Sequence, residues 1–187
     1  ELKANSVWEE SWVSGNYFNS GAPGATANAD KNNARGRAAV KGDGRGICPM
    51  GWHVPTDREW AVLSDKVEGN GDGSTFSSQT ATGWMGTDAG KKLKSSGTFT
   101  GTDPGDGSWR ENANRGTDES GFGAAPAGHR HGSGMQFYNR GIYVYYWSSS
   151  VESTVSAWSR QFFSGNALVF RNYRSRSDGF SVRCVKN

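Results

Sequence analysis

Signals for regular structure in this chain come in one order, helix early and strands late, and that order restricts the folds open to it. Pro55-Thr56-Asp57-Arg58-Glu59-Trp60 has the form of a helix start. Thr56 can cap the first turn while Glu59 reaches back to the Thr56 amide, the two halves of a capping box. Trp60, Leu63 and Val67 then recur at helical spacing and Gly69 stops the run, which predicts about three turns. A second, shorter helix is predicted over Asp88–Ser95, with Gly97 after it. Beyond residue 140 the pattern is extended. Ile142–Trp147 is a continuous apolar and aromatic run that suits a buried strand. Ala157–Phe163 and Ala167–Arg174, joined by Ser164-Gly165-Asn166, read as a hairpin. After the turn signal Asp178-Gly179, residues Phe180, Val182 and Cys184 alternate with Ser181, Arg183 and Val185, predicting a half-buried final strand. Segregated helices and strands favour an α+β domain over an alternating parallel one.

A chain of 187 residues suffices for one domain with a real core, and 1–187 is read as one. Eight Trp and 27 Gly describe long connections pinned by large aromatic anchors, and an aromatic-rich chain is not a disordered one. Residues 1–46 divide into short strand pieces around Trp8, Trp12, Tyr17 and Phe18, then a surface excursion or flexible arm over 21–46. The segment 47–187 carries the motifs. Stretches 69–83 and 97–125 are turn-rich. The net charge of +3 comes from bases that form no run, so no nucleic-acid partner is expected. No run of 18 apolar residues exists, so no membrane span is expected. No signal peptide stands at Glu1, and the chain reads as a mature, trimmed or excised product.

The two cysteines, Cys48 and Cys184, leave two readings open. An even count in a secreted protein favours a bridge, whereas two buried free thiols would behave as small apolar residues. A bridge would close a loop of more than a hundred residues, adding roughly 5 kcal/mol in the chain-entropy view.

Four stretches resemble the Fibrobacter succinogenes major paralogous domain family. They are Cys48-Pro49-Met50-Gly51-Trp52-His53-Val54-Pro55-Thr56-Asp57-Arg58-Glu59-Trp60, Gly121-Phe122-Gly123-Ala124-Ala125-Pro126-Ala127-Gly128, Tyr146-Trp147-Ser148-Ser149, and Gly179-Phe180-Ser181-Val182-Arg183-Cys184-Val185. The resemblance implies a C-type-lectin-like fold of the formylglycine-generating-enzyme type, with two helices packed on irregular antiparallel sheets with long loops. It implies a secreted or surface-attached bacterial protein, frequently of the Bacteroidetes, and it brings Cys48 and Cys184 close together as a disulfide. Residues 149–178 also resemble the variable stretch of proteins diversified by retroelements. There, fixed-looking Ala157, Trp158, Arg160, Val169 and Arg171 are interleaved with a mixed set.

Alternation along the last hairpin supports a binding face independently. If Ala167 and Val169 face the core, Leu168 and Phe170 face outward, and outward apolar clusters rimmed by polar groups mark partner surfaces. A strand buried on both sides is the bland alternative. The expected ligand-binding residues are Tyr145, Ser159, Phe163, Asn166, Leu168, Phe170, Asn172, Tyr173 and Ser175.

Chemistry is sparse. If Cys48 and Cys184 are bridged, no redox nucleophile remains for the formylglycine-generating reaction. Neither a Glu-Pro-Asn or Gln-Pro-Asp loop nor a Trp-Asn-Asp strand is present for Ca²⁺-bridged sugar binding. Asp72, Asp103 and Asp106 sit in loops that could supply oxygens to a structural Ca²⁺, but without EF-hand spacing solvated turn carboxylates are the simpler reading. His129 and His131 form an H-x-H pair that on a strand would face one side, with no third ligand recognisable nearby. No nucleophile elbow, Walker or Rossmann glycine pattern occurs. His53 reads as a structural hydrogen-bonding histidine. The expectation is therefore a domain without cofactor or catalytic role: a ligand-binding or adhesin module at the bacterial surface, meeting a protein or glycan on another cell or host. It would be carried by pilus or surface-anchor subunits. A degenerate or metal-dependent enzyme and a purely structural module are the alternatives.

Overall fold

The computed structural model describes residues 48–69, 81–97, 108–110, 114–133 and 136–187. Helix α1 (Asp57–Glu68) starts where the capping box predicts. The Glu59 amide donates to Thr56 Oγ1 at 3.1 Å, and the Thr56 amide donates to Glu59 Oε2 at 2.7 Å. Gly69 ends the helix at φ 85°, a left-handed geometry that glycine adopts without penalty. Helix α2 (Ala89–Leu93) is shorter than predicted by a few residues. Its exposed first amides are satisfied from α1: Glu68 Oε1 accepts from Thr87, Asp88 and Ala89, which ties one helix end to the other.

Strands follow in chain order: β1 (Trp52–His53), β2 (Gly83–Met85), β3 (His129–Arg130), β4 (Phe137–Tyr138), β5 (Tyr143–Val151), β6 (Ser156–Phe163), β7 (Val169–Ser175) and β8 (Val185–Lys186). The main sheet has the order β2-β7-β6-β5 and is antiparallel throughout. β1 pairs with β8, and β3 with β4. The molecule is thus a mixed α and β structure of helices and antiparallel sheets, the class that the order of the sequence signals favours.

Two buried clusters lie on opposite sides of the main sheet. One packs Trp60, Leu63, Leu93, Trp109 and Phe122 against Val144, Tyr146, Phe162 and Val169 of the sheet. Burying Phe162 completely contributes about 1.5–3 kcal/mol. The other cluster joins Tyr145, Trp147 and Ala157 to Val54, Phe180, Val182 and the disulfide Cys48–Cys184, whose Cα atoms are 5.8 Å apart. The bridged reading of the cysteines is the observed one.

The half-buried final strand is not. Residues 178–185 are buried on both sides, and regular pairing resumes only in β8. Ser181 runs parallel beside β5: its amide donates to the Tyr145 carbonyl and its carbonyl accepts from the Trp147 amide. Arg183 lies 4.7 Å from the Phe122 ring and donates to the Phe122 carbonyl. Alternation predicts an outward side only when nothing covers it, and here the loop bearing Phe122 does.

Candidate functional site

Antiparallel partners directly opposite one another project to the same side of a sheet, so the register sorts the strand residues by face. Tyr143 opposes Phe163, Tyr145 opposes Gln161, and Trp147 opposes Ser159. Gln161 opposes Phe170, Ser159 opposes Asn172, and Ala157 opposes Arg174. Trp84 opposes Phe170. These residues form one face. Val144, Tyr146, Phe162, Arg160, Trp158, Val169, Arg171 and Tyr173 form the other, the face toward α1.

On the first face all four strands contribute rings to a continuous row. Trp84 of β2 lies 4.8 Å from Phe170 of β7 and 6.4 Å from Phe163 of β6, centroid to centroid. Phe163 stacks on Tyr143 of β5 at 4.6 Å, with the planes 16° apart. Tyr143 stacks on Tyr145 at 5.8 Å, and Tyr145 on Phe180 at 4.9 Å. The row is graded: Trp84 is 38% exposed, Phe170, Phe163 and Tyr143 are half-buried, and Tyr145 is sealed in the disulfide cluster. Its outer part is an aromatic platform of stacked and tilted, partly open rings and its inner part is core.

Polar groups interleave with the rings. Gln161 is half-buried between Phe170 and Tyr145 in register. The Arg174 guanidinium lies 5.8 Å from the Tyr145 ring, and its buried Nε has no partner. Beside it His129 packs on Tyr145 at 4.7 Å, with Nδ1 also unpartnered. Burial pushes the His129 pKa down. Arg174 and His131 push the same way and Asp178 opposes them, so the ring is neutral at pH 7.

The turn that bounds the platform is held from beneath. Lys94 is fully buried, and its ammonium donates to the carbonyls of Asn114, Phe163 and Asn166, the last two at 2.9 Å. Gly90 of α2 packs against the same turn. A Cβ there would sit 2.2 Å from the Leu168 carbonyl oxygen, so only glycine permits the approach.

The opposite face is a charged scaffold. Arg160 and Arg171 oppose each other in register, a like-charge pair that would repel. Asp57, at the start of α1, resolves it: Oδ1 lies 2.5 Å from Arg160 Nη1 and Oδ2 lies 2.9 Å from Arg171 Nη2. Burial raises the Asp57 pKa, but the two guanidiniums outweigh it and hold the carboxyl below its ordinary range. Arg171 also stacks 3.5 Å over Trp158, which meets Tyr173 edge-on.

The sequence-predicted residues therefore separate. Phe163, Phe170 and Asn172 lie on the platform side and are half-buried. Tyr145 and Ser159 lie on that side but are buried. Tyr145 belongs to the core, and Ser159 Oγ donates to the Asn172 carbonyl. Both are corrected to supporting positions, because the C-terminal segment covers their end of the sheet. Leu168 precedes β7, so with Asn166, whose Oδ1 accepts from the Leu168 amide, it forms the turn. Tyr173 and Ser175 are exposed but project to the opposite face, because they stand an odd number of residues from Phe170. The expectation that Phe170 and Tyr173 share one surface is thereby overturned. Trp84, Tyr143, Gln161 and Arg174 were missed. Parity with Phe163 and Phe170 marks Gln161 and Arg174, whereas the three-residue β2 is too short to show any period.

His129 and His131 do not converge as a ligand pair. His129 is buried among rings, while His131 lies beyond β3, exposed, with Nδ1 accepting from Ser133. Among the described residues no group of three or more His, Cys, Asp or Glu comes together. Asp72, Asp103 and Asp106 lie outside the described residues. His53 bridges Glu59 at 2.8 Å and Asn187 at 2.6 Å, the structural role its motif suggested. No described helix is long and apolar enough to cross a membrane.

Fold and site together define a disulfide-closed α and β domain that presents an aromatic platform on one sheet face. The chain belongs to the Fibrobacter succinogenes major domain family, whose model matches residues 9–186. No curated protein and no solved structure matches it.

Proposed function

We propose that this chain is an extracellular ligand-binding domain that acts by capture rather than catalysis, using the aromatic platform on the outer sheet face. The supporting observation is the row Trp84–Phe170–Phe163–Tyr143, partly open to solvent on a sheet whose other face carries the core. Half-exposed rings with amides between them resemble the core of a recognition surface, where aromatic anchors carry the affinity. The disulfide suits a secreted or surface-attached protein. The helix-on-sheet arrangement with a buried C-terminal segment suits the C-type-lectin-like scaffold of the formylglycine-generating type. An adhesin on a bacterial surface or pilus, engaging a protein or glycan target, fits this reading. Diversification of residues 149–178 is in partial accord with it: the fixed-looking Trp158, Arg160, Val169 and Arg171 lie on the scaffold face and Ala157 on the platform face, while of the mixed set Ser159, Phe163, Phe170 and Asn172 lie on the platform face and Tyr173 and Ser175 on the scaffold face.

Arrays of glycans and surface proteins, read with the wild type and with Phe170→Ala and Trp84→Ala, test the proposal. Captured targets should be lost in both variants while thermal unfolding stays cooperative. Capture unchanged in both would remove the platform from consideration.

A further inference from the structure

We propose that the main-chain carbonyls of Asn114, Phe163 and Asn166 form a cation site for a primary ammonium group, and that Lys94 is its built-in occupant. The site is independent of what the platform captures. It makes Lys94 the positioning residue for the turn at the platform's edge.

Burial is the starting point. Lys94 caps the C-terminus of α2 and is fully buried. A charge withdrawn from water is costly unless polar groups replace its hydration. An ammonium has three N–H donors and no acceptor. Three carbonyls converge on this one, those of Asn114, Phe163 and Asn166, the last two at 2.9 Å. The Trp109 ring adds its π face, with its centroid 5.0 Å from Nζ. Backbone carbonyls aimed at one point are the chemistry that replaces a cation's water shell. Without a cation, the negative ends of these dipoles would face one another in a site closed to solvent.

The surroundings hold the three oxygens in place. They come from separate stretches of chain: the loop at 114, the end of β6, and the turn before β7. Asn114 Nδ2 donates to the Gly165 carbonyl at 2.9 Å, joining loop and turn beside the site. The Lys91 amide donates to the Ala167 carbonyl at 2.9 Å, joining α2 to the same turn. A Cβ at Gly116 would lie 2.1 Å from the Lys94 carbonyl oxygen, so the loop closes on α2 only with glycine there. The turn's own order is carried by two amides, Ser164 donating to the Ile142 carbonyl and Asn166 to that of Phe163.

Chemical rescue tests the site. Lys94→Ala removes the atoms from Cγ to Nζ, which n-propylammonium replaces one for one. The wild type, Lys94→Ala and Lys94→Met are each refolded from urea with and without propylammonium chloride, so that the site closes round the amine. 1-Propanol controls for shape and tetramethylammonium chloride for salt. Both variants should melt roughly 5 °C or more below the wild type. Propylammonium should raise the melting temperature of Lys94→Ala saturably, and should leave the wild type and Lys94→Met unchanged. Hydrogen exchange at the Ser164 and Asn166 amides should be about tenfold faster in Lys94→Ala and should slow again with the amine. If Lys94→Ala does not fold alone, recovery of a cooperative melt with propylammonium supports the site and failure to recover overturns it. No response of Lys94→Ala to the amine, or an equal response to propanol or tetramethylammonium, would also overturn it. A Lys94→Met variant as stable as the wild type would reduce Lys94 to a packing residue and remove the cation site.

Discussion

The main sheet has one face that spends its charges internally and one that leaves them outward. Toward α1, Arg160 and Arg171 are neutralised by Asp57, and Trp158 is covered by the Arg171 guanidinium. Toward the platform, Arg174 meets the Tyr145 ring and makes no ion pair among the described residues, and the rings at Trp84, Phe170, Phe163 and Tyr143 are only partly covered. The same four strands supply both faces, so backbone geometry does not distinguish them. What differs is cover: α1 and α2 close one face, while the C-terminal segment closes only the Tyr145–Trp147 end of the other. A sheet sealed on one side tolerates varied side chains on the second, because those side chains are not part of the core.

This contrast predicts opposite responses to substitution. Asp57→Ala should have the largest effect, leaving two guanidiniums facing each other without a counterion. About 3–5 kcal/mol of stability should be lost in urea unfolding; a loss near zero would mean that the scaffold face does not depend on its charges. Replacing Cys48 and Cys184 together by Ser should cost about 2–5 kcal/mol and should loosen the covered end of the platform face first. Hydrogen exchange at Tyr145 and Trp147 reads that order, and uniform loosening of both faces would contradict it.

Acid should act in two steps. The folded pKa of His129 is lowered by burial, so its contribution is full above the unfolded value of 6.5 and is lost as pH falls below it. Asp57 and Glu59 are also lowered in the folded state, because their hydrogen-bond and charge partners outweigh burial. Their contributions are full above the unfolded values of 3.8 and 4.5 and are lost as pH falls further. Thermal melts from pH 7 to 3 should show both steps. His129→Phe should remove the first, and an unchanged profile in that variant would assign the step elsewhere. The smallest stability effect should come from Phe170→Ala, about 1 kcal/mol or less at a half-exposed position, together with at least tenfold weaker ligand capture.

Much of this was legible in the residues. The capping box and Gly69 fixed α1, because both act within a few positions of the chain. The hairpin around Ser164-Gly165-Asn166 was legible for the same reason. The platform was only partly so. Phe163 and Phe170 follow from their setting in the hairpin, but Tyr173 and Ser175 were assigned to a face that strand parity denies them. Trp84 has no local signal at all: three residues of strand become part of the row only because β2 docks on β7.

The chain by itself determined the helix, the order of its elements and the alternation of the late strands, since those depend on neighbours along the backbone. Only the tertiary structure decided that Tyr145 is core while Tyr143, two residues earlier on the same side, is half open. That depends on where Phe180 and the disulfide lie, contacts made by a segment more than thirty residues away. Burial is a property of what packs above a side chain, and periodicity records only the direction in which it points.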